Sequence, residues 1–160
     1  MRRGGALALL AVCGAVRLGA QEFAFRPVAQ PEARADAFLG PGGGAELGIG
    51  VNLPVGYYTR ASVTLAGGAV WVDHRAVGSG RIDVVSRYLL DPFRELRWGL
   101  YAGAGISTRW DDSAHWRSYL LVLAGIEGPV QRGWHTAFEA GLGGGARLAV
   151  VLRRARANGR

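Results

Sequence analysis

Apolar and polar residues alternate with a period of two over most of this chain, the pattern of half-buried β-strands. From Arg97 to Trp110 the even positions are Trp98, Leu100, Ala102, Ala104, Ile106, Thr108 and Trp110. The odd positions are Arg97, Gly99, Tyr101, Gly103, Gly105, Ser107 and Arg109. Arg81–Asp91 sets Ile82, Val84, Tyr88 and Leu90 against Arg81, Asp83, Arg87 and Asp91, with Ser86 the exception. Ala45–Leu53 opposes Leu47, Ile49, Val51 and Leu53 to Glu46, Gly48, Gly50 and Asn52, and Tyr57–Val72 opposes Tyr57, Val63, Leu65 and Trp71 to Arg60, Ser62 and Thr64. In Trp116–Glu127 the apolar phase is Trp116, Leu120, Val122, Ala124 and Ile126. The other phase holds Arg117, Tyr119 and Glu127, but also Leu121 and Leu123, so the split is weaker. From Trp134 the apolar phase runs through Phe138, Leu142, Leu148, Val150 and Leu152, with His135, Glu139 and Arg147 opposite. No charged residue of these six segments falls on the apolar phase, and no helical period follows Phe38.

The connections alternate as well. Leu53–Gly56, Asp91–Leu96 and Gly128–Gly133 are short and punctuated by Pro or Gly, whereas Asp73–Gly80 and Asp111–His115 are polar and loop-like. Short turns on one rim and longer loops on the other predict an antiparallel up-and-down meander, all-β, with no βαβ unit and no second domain. Six strands are read directly from the alternation. A weak first strand within Phe23–Leu39, looping at Gly40–Gly44, adds one, and a split at Gly143-Gly144-Gly145 adds another. Eight strands put both termini on the short-turn rim, whereas six put them on the long-loop rim.

The N-terminus reads as an export signal rather than as part of the fold. Met1-Arg2-Arg3 is positive, Ala6–Val16 is an uncharged apolar run, and Leu18-Gly19-Ala20 precedes a cleavage point before Gln21. The run is too short to span a bilayer as a helix. Cys13, the only cysteine, lies inside it, and Val12 stands where a lipoprotein signal has Gly, Ala or Ser. Cleavage after Ala20 therefore leaves a mature chain with no disulfide, thiolate nucleophile or Cys-ligated zinc. The expected organisation is a signal over 1–20, an N-terminal segment over 21–37, a barrel over 38–156 and a tail over 157–160.

Charge looks at first like a nucleic-acid signal, with 19 Arg, no Lys and a formal net charge of +7. The excess sits at the two ends, and Gln21–Leu152 holds 12 Arg and 12 acids. Without a cationic footprint on the folded body, a nucleic-acid partner is not expected. The 26 Gly and a charged fraction of only 19% make a thin solvent coat for a soluble domain.

All five Trp (71, 98, 110, 116 and 134) lie on the apolar phase at segment ends. Trp98 and Trp110 are 12 residues apart, about 30 Å along a tilted strand. With Tyr57 they have the spacing of aromatic girdles around an apolar band about 25 Å tall. That favours lipid, rather than a protein core, against the apolar phase. On the signal, the dyad repeat, the terminal Trp and the connection rhythm, Phe38–Arg156 resembles the small outer-membrane β-barrel proteins, the class of the OmpA membrane domain and OmpX. The resemblance implies a transmembrane barrel of eight strands and membrane lipids as partners, but no activity. The chain departs from that class by ending in an Arg-rich tail with no terminal Phe.

The polar phase then becomes the lumen. Its ions are Glu46, Arg60, Arg81, Asp83, Arg87, Arg97, Arg109, Arg117, Glu127, Glu139 and Arg147. Because side chains fill interiors of eight-stranded barrels, a salt-bridged plug is expected over an anion passage. Catalysis is not expected. His135 and Glu139 are about 13 Å apart along a strand, and neither His115 nor His135 has a Ser two residues on, as lipid A-trimming barrel enzymes do. His74 and His115 fall in the polar connections. Gly141–Ala146 fits a G-x-G-x-x-A string without the helix and acidic residue a dinucleotide site needs. Asp111-Asp112 alone falls short of the oxygen ligands of calcium, so no metal or cofactor is expected.

The expected role is that of an integral outer-membrane barrel, structural or adhesive, meeting a surface partner through loops 73–80 and 111–115. The rival is a soluble periplasmic lipocalin-like barrel that turns its apolar phase inward around a hydrophobic ligand.

Overall fold

The computed structural model describes residues 28–39, 43–72, 75–91, 97–111 and 116–155; the predicted signal lies outside them. Eight antiparallel strands follow one another around a closed barrel: β1 Gln30–Leu39, β2 Gly44–Pro54, β3 Thr59–Val72, β4 Arg75–Leu89, β5 Gly99–Asp111, β6 Arg117–Glu127, β7 Trp134–Leu142 and β8 Ala146–Arg154. Each strand pairs with its sequence neighbours, and β8 returns to β1 in the register Glu32↔Arg153 to Leu39↔Ala146. Closure leaves no edge strand.

Both additional strands are present. β1 lies within Phe23–Leu39, so the barrel begins at Gln30, ahead of the expected Phe38. The last segment splits at the predicted glycines, where Gly144 and Gly145 take φ of +72° and +140°, conformations that residues with a Cβ rarely adopt. The β6–β7 turn is a two-residue hairpin in which Arg132 and Gly133 both have positive φ, the geometry that suits strand twist. β1 begins and β8 ends on the rim of the β2–β3, β4–β5 and β6–β7 connections, here called the lower rim.

The expected loop rhythm is not what the chain adopts. On the upper rim the connections span residues 40–43, 73–74, 112–116 and 143–145, and the longest connection, 90–98, is on the lower rim. Loop 73–80 is mostly strand. Arg75–Gly80 belongs to β4 and pairs back onto β3 from Val72↔Arg75. The polar and glycine residues there suggested a loop, yet cross-strand pairing continues through them. The β3–β4 hairpin therefore rises past β2, which stops pairing at Gly44↔Val70, and past β5, which stops at Ser79↔Asp111. Of loop 111–115, Asp111 ends β5, and residues 112–115 lie outside the described part.

The apolar phase faces outward. Leu47, Ile49, Val63, Leu65, Val84, Ile106, Leu120, Val122, Phe138 and Leu148 are all exposed around the barrel wall. The opposite phase is buried and polar. This orientation removes the apolar interior that a lipocalin-like ligand cavity needs. What apolar volume the interior has is a wedge of Val85, Tyr101, Leu121, Leu123, Ala137, Ala149 and Val151 on β4–β8. Leu121 and Leu123, which blurred the pattern of β6, fill that wedge.

Candidate functional site: the charged interior

Small barrels with eight strands have just enough bore for side chains, so inward residues from opposite walls meet. Seven guanidinium groups (Arg34, Arg60, Arg81, Arg87, Arg109, Arg147 and Arg153) and six carboxylates (Glu32, Asp36, Glu46, Asp83, Glu127 and Glu139) do so here, stacked along the axis.

The upper tier is built on Arg81 of β4. Its Nη2 lies 2.6 Å from Asp36 of β1, its Nε 2.8 Å from Glu46 of β2 and its Nη1 2.7 Å from Asp83 on its own strand. Asp83 also accepts from Arg147 of β8 at 2.8 Å, and Ser79 donates to Glu46 at 2.8 Å. Above this, the Arg109 guanidinium stacks on the Phe38 ring with its carbon 3.9 Å from the centroid. The Phe38 side chain thus covers the upper tier.

Glu139 of β7 centres the middle tier. It accepts from Arg34 at 3.1 Å, from Arg87 at 3.0 Å and from the Tyr101 hydroxyl at 2.8 Å. Arg87 also donates to Ser62 at 2.5 Å. A carboxylate held by three donors in low dielectric is rigidly placed, because leaving any donor unmade costs its desolvation.

In the lower tier Arg153 pairs with Glu32 at 3.1 Å and with Glu127, which also takes Arg60 at 2.8 Å. His135 is buried beside them, 3.2 Å from the Gly128 carbonyl and 3.9 Å from Glu127. Among the described residues no group of His, Cys, Asp and Glu has the makings of a metal site.

Of the ions expected in the lumen, Glu46, Arg60, Arg81, Asp83, Arg87, Arg109, Glu127, Glu139 and Arg147 are brought together. Arg97 and Arg117 are not: both have the inward parity, but Arg97 precedes β5 and Arg117 opens β6, and both are exposed at the rims where the bore no longer encloses them. Four members of the network were not foreseen: Glu32, Arg34 and Asp36 of β1, and Arg153 of β8. The alternation that marks them is in the sequence, Gln30-Glu32-Arg34-Asp36-Phe38 against Pro31-Ala33-Ala35-Ala37-Leu39, but small alanines make a faint apolar phase. Arg153 simply continues the inward parity of Arg147.

The aromatic residues expected as girdles lie outside the barrel, in two groups. Trp71, Trp110 and Trp116 stand on the β3–β6 side of the upper rim, where the last two stack with centroids 6.2 Å apart. Trp98, Trp134, Tyr57, Tyr58 and Tyr88 ring the lower one, where Tyr58 and Tyr88 stack at 5.7 Å.

Solved structures superpose on this barrel. The crystal structure of Neisserial surface protein A (NspA) superposes with a TM-score of 0.59 at 14% identity, covering 80% of this chain and 96% of that one. The N-terminal β-barrel domain of Pseudomonas aeruginosa OprF superposes at 0.53 with 11% identity, covering 80% and 99%. The fold is that of the small outer-membrane barrels. No protein-family model matches the chain, and no curated protein does. At such identities the likeness is one of architecture, and it extends over nearly the whole of both neighbours.

Proposed function

We propose that the chain is an integral outer-membrane β-barrel with a structural or surface-interaction role, and that its bore is plugged rather than conducting. The observation that carries the reading is the wall. A band of exposed Leu, Ile, Val and Phe is bordered by aromatic residues at both rims, and the ions are turned inward. A contiguous apolar surface around an entire barrel is unsustainable in water, whereas lipid satisfies it. Closure of the sheet satisfies every backbone group that lipid could not.

The plug follows from pairing. Buried charges that bridge β1, β2, β4, β7 and β8 are attached to opposite walls, and an ion passing through would have to break several pairs at once. The protruding β3–β4 hairpin, which carries residues 75–80 of the expected loop 73–80, is the feature best placed for contact with a partner outside the membrane. The reading includes no catalysis.

The test is fractionation of cells expressing the full chain with its own N-terminal segment, followed by a urea wash of the membranes at high pH. Retention in the pellet, with a band that shifts on boiling in detergent, is the expected result. Release into the supernatant overturns the reading.

A further inference from the structure

Every strand of the barrel presents an outward face, and among the described residues only one outward side chain of the eight strands is charged: Arg154, at the lower end of β8. It is exposed and lies across from Trp134 in the β7–β8 register, so both side chains project from the same face. Arg132 is exposed in the turn two residues before Trp134. Next to this corner the wall is furrowed. Below Leu39 the outward residues of β1 are Pro31, Ala33, Ala35 and Ala37, while neighbouring β2 and β8 carry Leu, Ile and Val. The furrow opens into an apolar groove of about 530 Å³ lined chiefly by Pro31, Ala33, Ile49, Val51, Leu65 and Trp134.

We propose that this corner binds one anionic phospholipid in preference to the surrounding lipid. An acyl chain lies in the groove over Pro31 and Ala33, and the headgroup phosphate pairs with Arg154, assisted by Arg132. The groove alone would accept any acyl chain. What selects an anion is the placement of the one outward guanidinium at its mouth, level with the girdle Trp134, where headgroups meet hydrocarbon. Arg suits the task because its planar fork matches phosphate oxygens. The occupant is a lipid rather than a second copy of this chain because a two-fold contact centred on this corner would bring Arg154 against its own copy.

The inference rests on the membrane reading above, and the experiment separates the two. The full chain is folded into phosphatidylcholine vesicles containing either brominated phosphatidylglycerol or brominated phosphatidylcholine. Trp134 emission is read as the difference between the wild type and Trp134→Phe. Phosphatidylglycerol should quench Trp134 at a mole fraction about five-fold lower than phosphatidylcholine does, the scale of one basic residue at a charged surface. Arg154→Gln should make the two lipids equal, and Ala33→Leu, which fills the groove, should weaken quenching by both. Equal quenching in the wild type overturns the site and leaves the membrane reading standing. A Trp134 untouched by either lipid while the other tryptophans are quenched means that protein covers the groove, which also overturns it. If neither lipid quenches any tryptophan, the membrane reading fails and takes the site with it.

Discussion

Glu32 and Arg153 are direct partners across the seam where the last strand meets the first, and their side chains form an ion pair at 3.1 Å although 121 residues separate them. The seam is the contact with the highest loop-closure cost in a barrel, since it forms only when the chain's two ends come together. Arg153 adds a second bond to Glu127 of β6, so one buried guanidinium joins three strands.

Removing it should be severe. Arg153→Met leaves Glu32 and Glu127 short of a buried partner, and the expected loss is about 3–5 kcal/mol. Glu32→Gln with Arg153→Gln should cost less than the sum of the two single changes, because the uncompensated charge disappears with its partner. Urea unfolding of the folded barrel in lipid, followed by the loss of heat-shifted mobility, measures both. A double variant as unstable as the sum would mean that the pair contributes nothing as a pair.

Glu139 gives a test of the plug. Its three donors come from β1, β4 and β5, so Glu139→Ala together with Arg87→Ala removes the link across the middle tier. The wild type should show no steady channel events in a planar bilayer, and the double variant should admit small ions. Steady conductance by the wild type would refute the plug.

Much of this was legible beforehand because a strand writes its two faces into alternate positions. The wall needed no structure: Leu100, Ile106, Trp98 and Trp110 announce an apolar phase, and the phase faces out once Trp is seen to mark its ends. The count of eight strands was legible through the rim at which the chain would start and end: six strands put both termini on the long-loop rim, and eight put them on the short-turn rim. Less was legible where contrast was low. β1 alternates between ions and alanines, and alanine resembles a loop as much as a wall. The β3–β4 extension was hidden by Gly78, Ser79 and Gly80, residues that ordinarily punctuate turns, because only pairing with Ala69, Gly68 and Gly67 reveals them as strand. Which carboxylate meets which guanidinium was out of reach, since pairs such as Arg34–Glu139 depend on the bore and stagger of the closed barrel and not on local spacing.

Gly80 explains one glycine in that stretch. It is the register partner of Trp110, whose indole lies over it so closely that a Cβ at Gly80 would overlap the ring. The glycine thus seats the tryptophan, which in turn stacks on Trp116. Gly80→Val should displace Trp110, abolish the near-ultraviolet dichroism of the stacked pair and cost about 1–3 kcal/mol by overpacking. An unchanged dichroic spectrum would mean that the indole has another place to lie.

The last prediction sets the wall against its surroundings. Val84 is exposed between the two girdles and is flanked by Val63 and Ile106 in register. In water, a substitution at so exposed a position would change stability by no more than about 0.5 kcal/mol. In lipid, Val84→Arg places a guanidinium in the hydrocarbon, at a cost of about 2–4 kcal/mol near the midplane. Ser86→Arg, one outward position closer to the lower rim, should cost less, because the long side chain can reach the headgroups. Unfolding free energies in vesicles decide the matter. A graded loss, largest at Val84, is expected of a wall facing a bilayer, and two near-zero values would mean that the apolar band meets something other than lipid.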